Sequence, residues 1–340
     1  MKHLTVVILF AISSISWGQI GGNQTFQFLN FVQSARVSAA GGYLLSVYDD
    51  DATLGQENPA LLNESMSGQL NLNYVNYFAD SDYGFASYTK HFEGKGTFNA
   101  SLLYANYGKF DYADAWGVRD GSQFTANDLA LSIGYGRKLT DNLSIGISQR
   151  IIASFYERYS ALGTSSDIGL VYHNEEDGFG AALVAKNIGF QFKGYTQNNR
   201  EALPLNMALA LSKKLAHAPF RFSLTYDHLE RFDLLYFNDS VTTEIDALTG
   251  ELIQIKPPGF LAKAMQHVSV GVELLMSKNL HLRLGYNHRL RTLSTFSTKP
   301  GFTGFALGMG FKVKKYHLSY ALNKSHIAGT ENHITITRKF

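Results

Sequence analysis

The chain has no cysteine. That excludes disulfides, thiolate metal sites and cysteine nucleophiles together. Charge is also scarce: Asp, Glu, Lys and Arg make up 17% of residues, against roughly 25% in an ordinary soluble domain. The net charge is only +2, with no basic cluster or arginine-rich arm, so nucleic acid is not an expected partner. Long apolar runs are missing too. After the first twenty residues the apolar stretches reach about five residues, as in Ala181 to Ala185, whereas a membrane helix needs about 20. Helical spans are therefore excluded. Only six prolines occur, none of them inside the alternating segments described below, as a hydrogen-bonded sheet requires. Aromatic residues are plentiful instead, with 24 Phe and 19 Tyr among 340 residues.

The start of the chain has the order of an export signal: basic Met1-Lys2-His3, an apolar stretch from Leu4 to Ile12, then small residues around Ser16-Trp17-Gly18. This pattern predicts a signal peptide over residues 1–18, cleaved between Gly18 and Gln19. With no cysteine after the cut, a lipid anchor is not expected.

From Ser67 onward, apolar residues recur at every second position. Leu129, Leu131, Ile133 and Tyr135 alternate with Asp128, Ala130, Ser132 and Gly134. Leu143, Ile145 and Ile147 alternate with Ser144, Gly146 and Ser148, and Phe220, Phe222, Leu224 and Tyr226 with Arg221, Ser223, Thr225 and Asp227. Each run therefore has one apolar and one small-or-polar face. Fourteen strands are expected, near 67–75, 82–92, 96–107, 123–139, 143–156, 165–174, 178–188, 204–215, 220–228, 266–275, 280–287, 304–313, 315–323 and 331–340. Many are long enough for the nine to eleven or so residues that cross a bilayer on a tilt. Short connections such as Glu93-Gly94-Lys95 and Thr140-Asp141-Asn142 alternate with long ones near 76–81, 108–122, 157–164, 189–203, 229–265, 288–303 and 324–330. A soluble sandwich has no reason to sort loop lengths in this way, whereas an outer-membrane barrel does. The expectation is an all-β fold: a fourteen-stranded antiparallel transmembrane β-barrel over 67–340, with a long outer loop at 229–265.

Residues 19–66 read differently. Phe26 to Ala40 is short, mixed and stopped by Gly41-Gly42, a helix-ending signal. Asp49-Asp50-Asp51 and Asn58-Pro59 follow. This segment is expected to be a partly helical plug or hatch, or a periplasmic piece. The acidic triplet lacks the spaced ligands of a calcium loop and reads as a solvated turn. No zinc pair, nucleophile elbow or phosphate-binding glycine loop occurs, so no catalytic residue, cofactor or metal is expected. His281 and His317, with Arg150, Arg221, Asp227, Glu273 and Arg283, fall on the polar phase of their strands and read as an internal charge network. Gly163 to Asp167 reads as a loop. Between Glu230 and Lys256 six acids face two bases, interleaved with Phe232, Leu234, Leu235, Tyr236 and Phe237. Val241 to Ile255 suggests a hairpin around Thr249-Gly250. This acidic, aromatic loop is a candidate docking surface, with Phe232, Tyr236, Phe237, Asp239, Glu244 and Asp246 as the contact residues.

Several stretches carry a resemblance. Gly21-Gly22, Phe28-Leu29, Ser34-Ala35-Arg36 and Ala39-Ala40-Gly41-Gly42, followed by Glu57-Asn58-Pro59-Ala60-Leu61-Leu62, resemble the PorV/PorQ family of type IX secretion barrels. That family is distantly similar to the long-chain fatty-acid transporter FadL. Tyr104 to Phe110, Gly121 to Phe124, Asp167-Ile168-Gly169 and Asp227-His228-Leu229 look most like its PorQ branch. The ending Ile334 to Phe340 resembles the signal read by barrel-assembly machinery, although Arg338 departs from it. The resemblance implies a fourteen-stranded FadL-like barrel in the outer membrane of a Gram-negative, Bacteroidota-like cell. It also implies a non-enzymatic role in the attachment complex, holding a PorZ-like surface protein beside PorU- and PorV-like members, near lipopolysaccharide. Ser34, Ala35, Arg36, Gly41, Gly42, Asn58 and Pro59 are its structural motif residues. The competing expectation from the residues is a FadL-like channel for hydrophobic small molecules, with 19–66 as a movable hatch; it requires an apolar internal pocket.

Overall fold

The computed structural model describes residues 24–77, 81–114, 116–197, 199–234, 243–245, 252–254, 257–293, 301–326 and 329–340. The expected signal peptide and Gly21-Gly22 lie outside them.

The alternating segments pair into strands β1 (Gln69–Asn76), β2 (Asp82–Phe92), β3 (Gly96–Ala113), β4 (Arg119–Lys138), β5 (Leu143–Tyr156), β6 (Tyr159–Asn174), β7 (Phe179–Lys193), β8 (Asn206–Lys214) and β9 (Phe220–Tyr226). Then come the short β10 (Thr243–Ile245) and β11 (Leu252–Gln254), followed by β12 (Val268–Leu275), β13 (Leu280–Asn287), β14 (Phe305–Val313), β15 (Tyr316–His326) and β16 (Gly329–Lys339). All but β10 and β11 form one closed antiparallel barrel of fourteen strands. The seam is β1 on β16, with Gln69 opposite Lys339 and Asn76 opposite Asn332. Closure leaves no free edge, which a sheet in lipid cannot tolerate. β10 and β11 pair separately as a two-stranded antiparallel sheet, as the alternation over 241–255 suggests.

The period-two pattern sorts side chains across the wall. Ile151 is 65% exposed while its neighbour Ile152 is fully buried, because they point to opposite faces. Leu131, Ile133, Ile147, Leu209, Leu224, Leu307 and Ile334 cover the outside. Such an apolar exterior is unfavourable in water by about 25 cal/mol per Å² and suits hydrocarbon instead. The short connections 93–95, 139–142, 175–178, 215–219, 276–279 and 314–315 share one rim, the turn rim; the others share the loop rim.

Three expected long connections are corrected; one of them, 324–330, is mostly taken up by β15, which runs to His326, and β16, which starts at Gly329. The 157–164 segment is a two-residue turn at Glu157–Arg158, and Gly163 to Asp167 belongs to β6, paired with Ser148 to Ile152 of β5. Within 108–122, β3 and β4 continue as a ribbon through two register shifts. Gly, Ser and Thr composition mimics a loop, but Gly163 to Asp167 each find a register partner on β5.

Residues 24–66 lie inside the barrel. They form short capped turns and a helix α1 (Ala35–Ala39). Ser34 and Asn58 of the motifs, with Asp51 and Asn63, supply the caps: their side chains accept from the backbone N–H of Val37, Ala60, Thr53 and Ser65 respectively, and Pro59 follows Asn58 at the first helical position, where no N–H is needed. α1 packs against β13 to β16, and the turn at Pro59–Leu61 against β4, β5 and β6, so the segment reaches from wall to wall. Its Val37, Leu44, Leu45, Leu54 and Leu61 make the core with Val171, Val184, Ala208 and Ala210 of the wall. The barrel is therefore filled by its own N-terminal segment.

Candidate functional site: a plugged lumen

The plug sits close to the wall because the wall is bare where they meet. A Cβ on Gly146 would lie 2.1 Å from the Pro59 carbonyl carbon, and one on Gly285 would lie 2.1 Å from the Gly41 amide nitrogen. These contacts seat the Asn58-Pro59 and Gly41-Gly42 motifs on opposite walls. Gly41 and Gly42 also end α1 with φ of 89° and 92°, the left-handed region where a side chain is strained. Asn58 uses both ends of its amide: Oδ1 caps Ala60, and Nδ2 donates to the Leu45 carbonyl at 2.8 Å. The Ala35 amide donates to Thr335 Oγ1 of β16 at 2.8 Å.

Arg36 is the centre of the plug's polar anchorage. Its Nε and Nη2 donate to the two Glu273 oxygens at 2.9 and 3.1 Å. Its Nη1 and Nη2 reach Asp49 at 3.1 and 2.7 Å, and Nη1 reaches Asp51 at 3.1 Å. Arg221 bridges Asp49 and Glu273 at 2.9 and 3.0 Å, and Arg283 Nε holds Glu273 at 3.0 Å. Three guanidiniums thus balance three carboxylates, which is how charge can be buried at all. The cationic neighbours Arg36 and Arg221 outweigh burial and hold the Asp49 carboxyl well below the usual carboxylate range. The reading of Asp49 to Asp51 as a solvated turn is corrected: Asp49 and Asp51 face inward onto Arg36, and Asp50 pairs with Lys312 at 2.9 Å. Elsewhere in the lumen, Arg150 pairs with Asp167 and Arg289 with Asp227.

Above the plug, on the loop rim, is a cavity of about 480 Å³. One wall is aromatic: Phe31 stacks on Tyr83 at 4.6 Å between ring centroids and packs beside Tyr77 at 5.6 Å. The other is polar. Tyr43, Lys186, Asn206 and Arg289 line it, with Lys186 held by Glu57 at 3.0 Å. Burial and the Asp227 carboxylate push the Tyr43 phenol above its ordinary range. The cavity's chemistry suits a small solute with an apolar body and a polar tip. It is not the purely apolar pocket expected of a hydrophobic channel, because plug and wall both contribute charged side chains. Among the described residues no group of three His, Asp or Glu side chains could hold a metal ion.

The expected docking residues are only partly described. Phe232 is 38% exposed and stacks on Phe260 at 5.3 Å and on His267 at 5.8 Å. Phe260 opens helix α2 (Phe260–Met265), where Phe260 and Leu261 are 76% and 73% exposed. Glu244 falls on β10. Tyr236, Phe237, Asp239 and Asp246 lie outside the described residues. The partnership of Arg36 with Glu273, 237 positions away, went unread in the sequence; its only signal was an arginine in a mostly small-residue motif and a lone glutamate on a polar strand phase. The glycines at inward positions signalled a close approach without naming what approaches.

No protein-family model and no curated protein matches the chain. Solved structures do match. The Ralstonia pickettii toluene transporter TbuX has a TM-score of 0.55 at 14% identity, over 93% of this chain and 100% of that one. The Pseudomonas putida toluene transporter TodX gives 0.51 at 14%, over 89% and 96%. A Pseudomonas aeruginosa FadL homologue gives 0.51 at 12%, over 91% and 98%. At such identities the likeness is one of fold: this chain has the FadL-like barrel, fourteen antiparallel strands closed around an N-terminal plug.

Proposed function

We propose that this protein is a FadL-like outer-membrane channel that admits small hydrophobic or aromatic molecules with a polar tip, with the N-terminal segment as its gate. The observation that carries this reading is the loop-rim cavity, lined by the plug residues Phe31, Val32 and Tyr43 together with Tyr77 and Tyr83. The toluene transporters among the structural neighbours support the solute class. The test is uptake of radiolabelled toluene and of a medium-chain fatty acid by cells lacking their own such channel. Expression should raise uptake, and Val32→Trp, which fills the cavity, should return it to background. Uptake equal to that of empty cells would reject the channel.

A second reading rests on a different observation, the exposed Phe232, Phe260 and Leu261 on the loop rim. Apolar side chains gathered at a rim suit a protein partner. In this reading the barrel anchors a PorZ-like surface component of type IX secretion, together with PorU- and PorV-like proteins near lipopolysaccharide. A tagged copy would then co-purify with that component, and deletion of residues 232–258 would abolish the association while the barrel still inserts. Absence of any association in the native host would sink it.

A further inference from the structure

We infer that the turn rim holds a binding site for a phosphate group, independent of the solute path above the plug. A cavity of about 330 Å³ opens there between the plug and β13 to β16. Seven Lys and Arg side chains line it against Asp49, Asp50 and Asp51. Those acids are already engaged, Asp49 and Asp51 by Arg36 and Asp50 by Lys312. Glu273, behind them, is shared by Arg36, Arg221 and Arg283. Lys314 and Lys315, at the turn between β14 and β15, have no acidic partner among the described residues, so the cavity carries surplus positive charge.

The second observation is a buried donor without a partner. Arg283 is 4% exposed; its Nε is bound to Glu273, yet its Nη1 meets no acceptor. The Nε2 of His317 beside it is likewise unpartnered. Both converge over Gly310: a Cβ built there would lie 2.7 and 3.0 Å from Arg283 Nη1 and Nη2, and 3.0 Å from His317 Nε2. Glycine at 310 is what lets the guanidinium and the imidazole share this spot, with His281 at 6.4 Å from His317 between ring centroids. A guanidinium with an unpartnered nitrogen, backed by surplus lysines, attracts a tetrahedral oxyanion, and a dianionic phosphate offsets the surplus charge better than a carboxylate. On the outer side of the same corner Arg338 lies 5.7 Å over the Tyr316 ring and 4.4 Å over Phe340, the aromatic-and-cation arrangement of a headgroup level. The phosphate can therefore come from a phospholipid headgroup or from solution.

The experiment uses the purified full barrel in neutral detergent. Inorganic phosphate is titrated by calorimetry, and retention of phosphatidylglycerol is counted by native mass spectrometry. Binding of phosphate alone identifies the soluble source and retention of the lipid alone identifies the headgroup; either supports the site. Lys314→Gln with Lys315→Gln, and separately His317→Leu, should each weaken binding about tenfold, the loss of roughly one charge-assisted hydrogen bond. Lys90→Gln with Lys95→Gln, elsewhere on the same rim, should leave it unchanged. Failure of both probes to bind, equal binding in the site variants, or equal loss in the control pair would overturn the inference. The two lysine pairs are exposed, so folding is preserved in that comparison.

Discussion

Replacing Arg36 by methionine removes the hub of the plug's anchorage while keeping an unbranched side chain of similar reach. Five hydrogen bonds to Asp49, Asp51 and Glu273 are lost, and the cluster keeps three carboxylates against two guanidiniums. Removing one partner of a buried ion pair costs about 3–5 kcal/mol. Arg221 and Arg283 still hold Asp49 and Glu273, so the low end, about 3 kcal/mol, applies. That is roughly a hundredfold change in the equilibrium between seated and released plug. Hydrogen–deuterium exchange reads it directly, because Ala35, Ser38 and Ala40 donate their amides to Thr335, Ser34 and Arg36. Their protection should fall about a hundredfold while strand amides of β5 and β6 keep theirs, local opening being separable from global unfolding. Adding Asp49→Asn to Arg36→Met restores neutrality and should recover part of the protection. Unchanged protection in the single variant would refute the assignment of Arg36 as the plug's anchor, and equal loss in plug and strands would show that plug and barrel open as one unit.

Gly146→Leu forces a side chain into the backbone of Pro59; overpacking costs about 1–3 kcal/mol, seen as a lower thermal midpoint in detergent, whereas Ile151→Leu on the outer face should leave the midpoint unmoved. Tyr107→Phe and Tyr156→Phe each remove a hydroxyl bound to the buried Asp128 at 2.6 and 2.7 Å, so each should cost about 1–3 kcal/mol by urea unfolding. Burial pushes the Glu230 carboxyl up, but its hydrogen bonds from His228 and the Met207 amide outweigh this and leave it below the ordinary 4.5. A depressed folded value means stabilisation is present above the unfolded value and lost as pH falls through the folded one. Loop cleavage by an acid-active protease should therefore rise as pH drops below about 4.5, and a Glu230→Gln variant should lose that pH dependence. Phe260→Ser with Leu261→Ser should change barrel stability by less than about 0.5 kcal/mol, because both side chains are mostly exposed and Phe260 stacks on Phe232 of the loop; a larger loss would mean that this loop-rim stack contributes to the stability of the barrel.

Alternations such as Leu143, Ile145 and Ile147 with Ser144, Gly146 and Ser148 assign each strand its two faces, and their repetition over 67–340 with long strands and sorted loop lengths states the barrel and its strand number. A period of two leaves a side chain only two faces to choose from, so this information is local. The helix stop at Gly41-Gly42 was equally local, since it depends on backbone conformation alone. What required the folded chain was everything that joins distant positions. Arg36 meets Glu273 only because the plug lies across the lumen beneath β12, and the acidic triplet could not be told from a solvated turn until that contact existed. Gly146 and Gly285 announced an absence of side chain without saying that Pro59 and Gly41 would occupy the space. Likewise Gly163 to Asp167 has a loop's composition and a strand's fate, because its ladder partner on β5 decides. Local pattern sets which face each residue shows; the closed barrel, by bringing its N-terminal segment inside, sets which charges neutralise one another, where the cavities remain, and which donors are left without a partner.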